Sequence, residues 1–177
     1  MTSVDEQRAA RFAQMYEDAY GPVHAYAARR AGPDAADEIC ADAFLVAWRR
    51  LEDVPDPPLP WLYGVARNVV ARHHERGGKQ RRLQAALAHE HTVVAPGWLE
   101  GSDGDAQLWT AWETLRETDR ELLALIAWEE LTVAEAAQAL GCAASVCSVR
   151  LPRARRRFAS LLERTATTSA ATATVEG

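Results

Sequence analysis

Apolar residues recur at three- and four-residue intervals along most of this chain, and no stretch alternates apolar with polar as a half-buried strand does. That periodicity restricts the fold to an all-α architecture. It fails in one internal region, where AHEHTVVAPGWLEGSDGD carries proline, glycine and acid with no period. The chain therefore reads as two small helical domains joined by a flexible linker. The first spans residues 1–82, the linker 83–105 and the second domain 106–164. The tail 165–177, ending TATTSAATATVEG, has the composition of a disordered segment.

Within the first block, helices are expected over 5–20, 24–30, 34–51 and 61–76. Gly21-Pro22 and Gly32-Pro33 break the first three apart, and Gly77-Gly78 ends the fourth. The segment VPDPPLP, with four prolines in seven residues, forbids a helix over 54–60. In the second block Thr118-Asp119-Arg120-Glu121 and Thr132-Val133-Ala134-Glu135 both have the form of a capping box. Gly141 closes the helix opened by Thr132, and a last helix runs over 144–162.

Composition excludes several functions. The 177 residues include 25% charged and 48% hydrophobic ones, as in folded proteins and unlike disordered ones. No run of apolar residues is long enough for a membrane span, and the N-terminus lacks the features of a secretory signal, so a cytoplasmic location is expected. Three cysteines, Cys40, Cys142 and Cys147, cannot build a disulfide framework and are expected to be reduced thiols. No metal-ligand spacing, nucleophile triad or phosphate-binding glycine motif occurs, so neither a cofactor nor an enzyme is implied. His73-His74-Glu75 and His89-Glu90-His91 read as solvated polar residues, since neighbours on a helix diverge by about 100°. Trp48, Trp61, Trp109, Trp112 and Trp128 fall on apolar stripes. Trp98 stands apart, in the linker.

Charge is segregated despite the net −5. Arginine and lysine cluster between Arg67 and Arg82 and again between Arg150 and Arg164, with an acidic stretch between them. Two basic segments suggest two phosphate contacts. The spacing of residues 131–155 sharpens that reading: a helix, a glycine turn, then a second helix. Val146, Val149 or Leu151, and Phe158 are expected to face the core, with Arg150, Arg153, Arg155, Arg156 and Arg157 outward. This is a helix-turn-helix pattern, whose second helix enters the major groove by its N-terminal end.

These same residues carry a family resemblance. LTVAEAAQALGCAASVCSVRLPRAR (131–155) is similar, without a gap, to the promoter −35-reading domain of bacterial extracytoplasmic-function (ECF) sigma factors. ADEICADAFLVAW (36–48) and WLYGVARNVV (61–70) resemble that family's other conserved domain. The resemblance implies a promoter-specificity subunit that directs bacterial RNA polymerase to −35 and −10 elements, in a stress-type regulon. It implies that Glu38, Asp42 and Arg49 dock on the β′ clamp helices of the core enzyme, with the β subunit as a further partner. Trp61, Arg67, Asn68 and Arg72 would engage the −10 element. Ser145, Ser148, Val149, Pro152 and Arg153 would form the −35-reading face, and Arg150 and Arg156 would hold the DNA backbone. An anti-sigma factor is a further possible partner.

The sequence departs from the family pattern at Ala41, Ile126, Ala143, Ser148 and Pro152. Pro152, inside the expected recognition helix, removes a backbone hydrogen bond and predicts a bend. Three other readings compete with this one. They are a dimeric helix-turn-helix repressor acting without polymerase, an enzyme built on the histidine clusters, and a helical adaptor that binds only protein.

Overall fold

The computed structural model describes the backbone of residues 4–85 and 103–175, and side chains over 4–77, 106–165 and at 167. Seven α-helices and one short 3-10 turn make up the described residues, with no strand among them. The chain divides into two compact units, Met1–Val93 and Val94–Gly177.

The first unit is three mutually packed helices, α1 (Val4–Ala31), α2 (Pro33–Arg49) and α3 (Leu59–Ala85), with a 3-10 turn at Leu51–Asp53. Tyr26, Ile39, Leu51 and Leu62 are its largest fully buried side chains. The Tyr26 and Tyr63 rings lie 5.1 Å apart. Phe12, Tyr16 and Tyr20 of α1 line up against Phe44 of α2, at centroid distances of 6.3, 4.7 and 6.3 Å. Arg11 reaches out of α1 to donate to the Val54 carbonyl at 2.8 Å, holding the proline-rich loop.

Two expected breaks are absent. Helix α1 runs straight through Gly21-Pro22 as one element of 28 residues. Both residues are exposed, so the hydrogen bond that Pro22 cannot make leaves an acceptor facing water. Buried Ala19, Val23, Tyr26 and Ala27 keep the helix on the core across the break. Helix α3 likewise continues past Gly77-Gly78 to Ala85. A helical glycine costs only about 1 kcal/mol against alanine, and no positive φ occurs at these two, so they do not act as a stop.

The second unit contains α4 (Asp103–Thr114), α5 (Glu117–Ala127), α6 (Val133–Leu140) and α7 (Ala144–Val175). Helices α4, α5 and α6 all pack on α7. The Trp112 ring, on α4, is 5.6 Å from Phe158 of α7 and 4.8 Å from Trp128. The capping box at Thr132 forms as expected: Thr132 Oγ1 accepts from the Glu135 backbone N–H, and Glu135 accepts from the Thr132 N–H at 2.8 Å. Gly141 takes φ 65°, a left-handed conformation that favours glycine, and ends α6.

The box expected at Thr118 does not form. Arg116 is the N-cap of α5, without a side-chain cap bond. Asp119 is turned inward to an ion pair with Arg157, and the Thr118 carbonyl accepts from Arg150 at 2.8 Å. The helix starts at Glu117, so Thr118 lies inside its first turn, where the N–H groups of Asp119 and Arg120 already bond to the Arg116 carbonyl. Helix α7 also extends to Val175, so residues 165–175, expected in a disordered tail, are helical.

Candidate nucleic-acid interface

Helix α7 begins without a side-chain cap. Ala143 precedes it, and the Ala143 carbonyl accepts from the N–H groups of Val146 and Cys147 at 3.0 and 3.4 Å. Its buried side is Cys147, Leu151 and Ala154, with Phe158 half-buried. At roughly 100° per residue, these four occupy one arc. The opposite arc carries Ser145, Ser148, Val149, Pro152 and Arg156, all exposed, with exposed Arg153 at its edge. Pro152 lies inside the helix, which continues on both sides of it. Ser148 donates its hydroxyl back to the Ala144 carbonyl at 2.9 Å, which leaves its oxygen free to accept.

The expectation that Val146 or Val149 faces the core is corrected here. Val146 is 45% and Val149 53% exposed, and Cys147 fills the core position between them. Polar or not, a side chain's depth is set by its angular position on the helix, and Cys147 aligns with Leu151 and Ala154 whereas the valines do not. The second exposed valine, Val146, was missed for that reason. Counting the arc from the small residues Cys147 and Ala154 would have found it.

The arginines of α7 separate into two sets. Arg153, Arg155 and Arg156 are exposed. Arg150 and Arg157 sit on the flank beside α5: Arg157 pairs with the buried Asp119, and Arg150 lies 4.0 Å from the same carboxylate. Four of the five are thus exposed as expected, Arg157 while paired with Asp119, and Arg150 is half-buried. Asp119 is the one charged residue buried among the described residues, and its two cations tie α5 to the recognition helix.

In the first unit, α3 buries Leu62, Tyr63, Ala66, Val69 and Val70. Trp61, Asn68 and Arg72 fall on one stripe of the opposite side, and Arg67 lies about 120° away from it, on the far flank. Asn68 and Arg72 are exposed, and Trp61 and Arg67 half-buried. The Arg50 guanidinium stands 5.9 Å from the Trp61 ring and donates to Asp53 at 3.0 Å.

Glu38, Asp42 and Arg49 share a stripe of α2, with Glu38 and Arg49 exposed and Asp42 half-buried. Leu45, at 44% exposed, lies on this stripe and Trp48, at 38%, at its edge. Sequence periodicity assigned Trp48 to the apolar side. Ile39, Cys40, Ala43, Phe44 and Ala47 already fill the buried arc, so Leu45 and Trp48 spill onto the surface. Trp48 is backed by Phe12 at 5.1 Å and by Arg8, whose guanidinium lies 5.1 Å from its ring and donates to the Trp48 carbonyl at 2.7 Å. Glu38 and Asp42 also line a shallow depression with Val69, Arg72, His73 and Arg76 of α3. Residues expected to serve the polymerase and the −10 element therefore meet across one groove.

Among the described residues no cluster of three or more His, Cys, Asp or Glu could hold a metal ion. His74 is engaged instead with the Arg30 carbonyl at 3.0 Å, fastening α3 to the end of α1. His89, His91 and Trp98 lie outside the described residues. No helix among the described residues is long and apolar enough to cross a membrane.

Comparison with known proteins agrees with this geometry. Residues 15–80 match the family model for sigma-70 region 2, and residues 105–158 the model for sigma-70 region 4. The RNA polymerase sigma factor NccH of Alcaligenes xylosoxydans xylosoxydans is 32% identical over 91% of this chain and 96% of its own length. Among solved structures, the sigma factor RpoE of Bartonella quintana, determined with the anti-sigma factor NepR, superposes with a TM-score of 0.62 at 22% identity. That match covers 86% of this chain and 96% of RpoE. CnrH, determined with the cytosolic domain of CnrY, gives a TM-score of 0.57 at 26% identity, over 86% of this chain and 88% of its own. With a helix-turn-helix in one unit, a three-helix unit before it, and a relative matched nearly end to end, the chain belongs to the ECF sigma factors, the non-enzymatic subunits that give bacterial RNA polymerase its promoter specificity.

Proposed function

We propose that the two units divide promoter recognition between them, with working limits 1–82 and 106–164 and residues 83–105 as the connection. The exposed arc of α7 supports a −35-reading role for Ser145, Ser148, Val149, Pro152 and Arg153. Seryl oxygens accept from and donate to base edges, and valine methyls suit the thymine methyl group. Val146 joins that surface. Arg156 holds a phosphate. Arg150 acts at the backbone only from the flank, because it also braces α5.

In the first unit, Asn68 on its exposed stripe suits the edge of an unpaired base, and Trp61 its face. Arg72 and Arg67 contact phosphates on either side, Arg72 with its charge partly offset by Glu38 and Asp42 across the groove. Glu38, Asp42 and Arg49 dock on the β′ clamp helices, with Leu45 and Trp48 as the apolar part of that surface; the β subunit is a further contact. The protein works in the cytoplasm, where its polymerase is. A stress-type regulon and control by an anti-sigma protein belong to the same proposal, and the second is supported by the likeness to RpoE, solved with the anti-sigma factor NepR.

The observation that carries this reading is the clean division of α7 into a buried arc and an exposed polar arc at its N-terminal end. A pair of variants tests it. Arg153→Ala lowers transcription from the cognate promoter roughly tenfold, the effect of one lost base contact, and leaves core binding unchanged. Asp42→Arg abolishes co-purification with core polymerase. Equal loss of core binding in Arg153→Ala, or normal co-purification of Asp42→Arg, contradicts the assignment.

A further inference from the structure

The sulfurs of Cys142 and Cys147 lie 3.3 Å apart at the turn of the helix-turn-helix. Cys142 is in the turn after Gly141 and half-exposed, and Cys147 is in the first turns of α7 and fully buried. We propose that these two thiols form a reversible intramolecular disulfide under hydroperoxide and that its formation switches off −35 binding; the second half of this inference rests on α7 being the −35-reading helix.

The chemistry needs one oxidant and no other co-reactant. The Cys142 thiolate attacks the peroxide O–O bond, giving a sulfenic acid and releasing water once the leaving hydroxide is protonated. The Cys147 sulfur then attacks the Cys142 sulfur. A second water leaves, and two thiols have been oxidised by two electrons while one peroxide has been reduced to two waters. Access assigns the order. Cys142 is the sulfur that solvent reaches, and Cys147 stays protonated because burial pushes its thiol up to about 11. Hence Cys147 is the resolving partner.

A shared metal ion fits less well. Two sulfurs on one tetrahedral zinc, at bonds of about 2.3 Å, stand roughly 3.8 Å apart and require two more ligands. No third His, Cys, Asp or Glu joins the pair among the described residues. The third cysteine, Cys40, is buried in the other unit, its thiol also pushed up to about 11, chiefly by burial.

The cross-link acts where the reading helix is aimed. Closing 3.3 Å to a bond of about 2.05 Å moves one sulfur or the other by more than 1 Å in total. Cys142 belongs to the turn that sets the angle between α6 and α7. Cys147 belongs to the buried arc directly beneath Ser145, Val146, Ser148 and Val149. Passed to the backbone of the turn or of α7, a movement of that size displaces that surface by more than base-edge hydrogen bonds tolerate.

The test uses the full chain with core polymerase, treated with hydrogen peroxide and then with dithiothreitol. Two readouts are independent. Mass spectrometry of the alkylated, trypsin-cut protein is expected to show the peptide holding both cysteines lighter by a pair of hydrogens and unalkylated, with Cys40 still alkylated. Transcription from the mapped promoter is expected to fall roughly tenfold, the scale of one lost base contact, and to return on reduction. Cys142→Ser, which leaves the buried Cys147 in place, is expected to transcribe normally and to resist peroxide.

A sulfinic acid at Cys142 with Cys147 still free, or a bond to Cys40 or between chains, overturns the disulfide. A disulfide with unchanged transcription overturns the switch, and so does a peroxide response undiminished in Cys142→Ser. Because the peptide mass does not depend on promoter reading, failure of the disulfide and failure of the −35 assignment give different results.

Discussion

Asp119 shows how a single residue decides an element's orientation. Its carboxylate is buried, paired with Arg157 and 4.0 Å from Arg150, both on α7. Removing a partner from such a pair costs more than the pair itself contributes, since a desolvated charge loses its compensation. Here the cations are partly exposed, with Arg157 at 41% and Arg150 at 31%, so water recovers part of the loss. Asp119→Ala is expected to lower the unfolding free energy of the second unit by about 1–3 kcal/mol, read by urea denaturation, and to weaken −35 binding with it.

The sequence made Asp119 visible as part of a Thr-x-x-Glu pattern and so suggested a cap. It could not show that an arginine 38 positions on would claim the carboxylate. Val146 is the same lesson on the other side. A β-branched apolar residue reads as core until the small residues Cys147 and Ala154 are seen to occupy the buried arc. In contrast, Arg153 was legible from the spacing as surface, and the resemblance implied the same for Ser145, Ser148 and Pro152; all four are exposed.

At the level of the element, α6 was the most legible part of the chain because its signals are local. Thr132 and Glu135 are three residues apart and satisfy each other's backbone N–H, and Gly141 supplies the left-handed turn. Thr132→Ala is expected to destabilise the second unit by about 1 kcal/mol, checked by thermal unfolding. The same contact makes stability depend on pH. Hydrogen bonds from the Thr132 side chain, then its backbone, hold the Glu135 carboxyl below its ordinary 4.5. A lowered folded-state pKa means that the unfolded chain binds the proton first. The contribution is therefore fully present above about pH 4.5 and lost as pH falls through the lower folded value. Thr132→Ala is expected to flatten that part of the acid stability curve.

Helices α1 and α3 were less legible, because glycine and proline raise the local cost of a helix without forbidding it. Val23, Tyr26 and Ala27 keep α1 on the core beyond Pro22, and tertiary burial outweighs a cost of about 3 kcal/mol. No local signal reports that balance.

For the whole molecule, the net charge of −5 matters as much as any motif. A chain that is acidic in sum cannot bind duplex DNA through a general cationic field. Its basic residues are densest on α3 and α7, and several of those face carboxylates. On the proposed reading each unit is a weak reader alone, and recognition depends on both acting on one promoter at high effective concentration. Cutting the chain between α3 and α4, at a protease site inserted within residues 86–102, cuts neither helix and removes that advantage. Promoter-directed transcription is expected to fall by roughly 10²-fold or more, measured on the mapped promoter before and after cleavage. The two-unit layout was readable from the loss of period between the blocks, since a break in helical repeat is a property of sequence alone.

The central claim is that this polypeptide supplies promoter choice to a polymerase that lacks it. Run-off transcription with purified core polymerase on genomic templates, with start sites mapped in the presence and absence of the protein, tests it most directly. The account predicts a set of new start sites that appear only with the protein, each preceded by the same pair of sequence elements at one fixed spacing. Identical start sites with and without it would contradict the account.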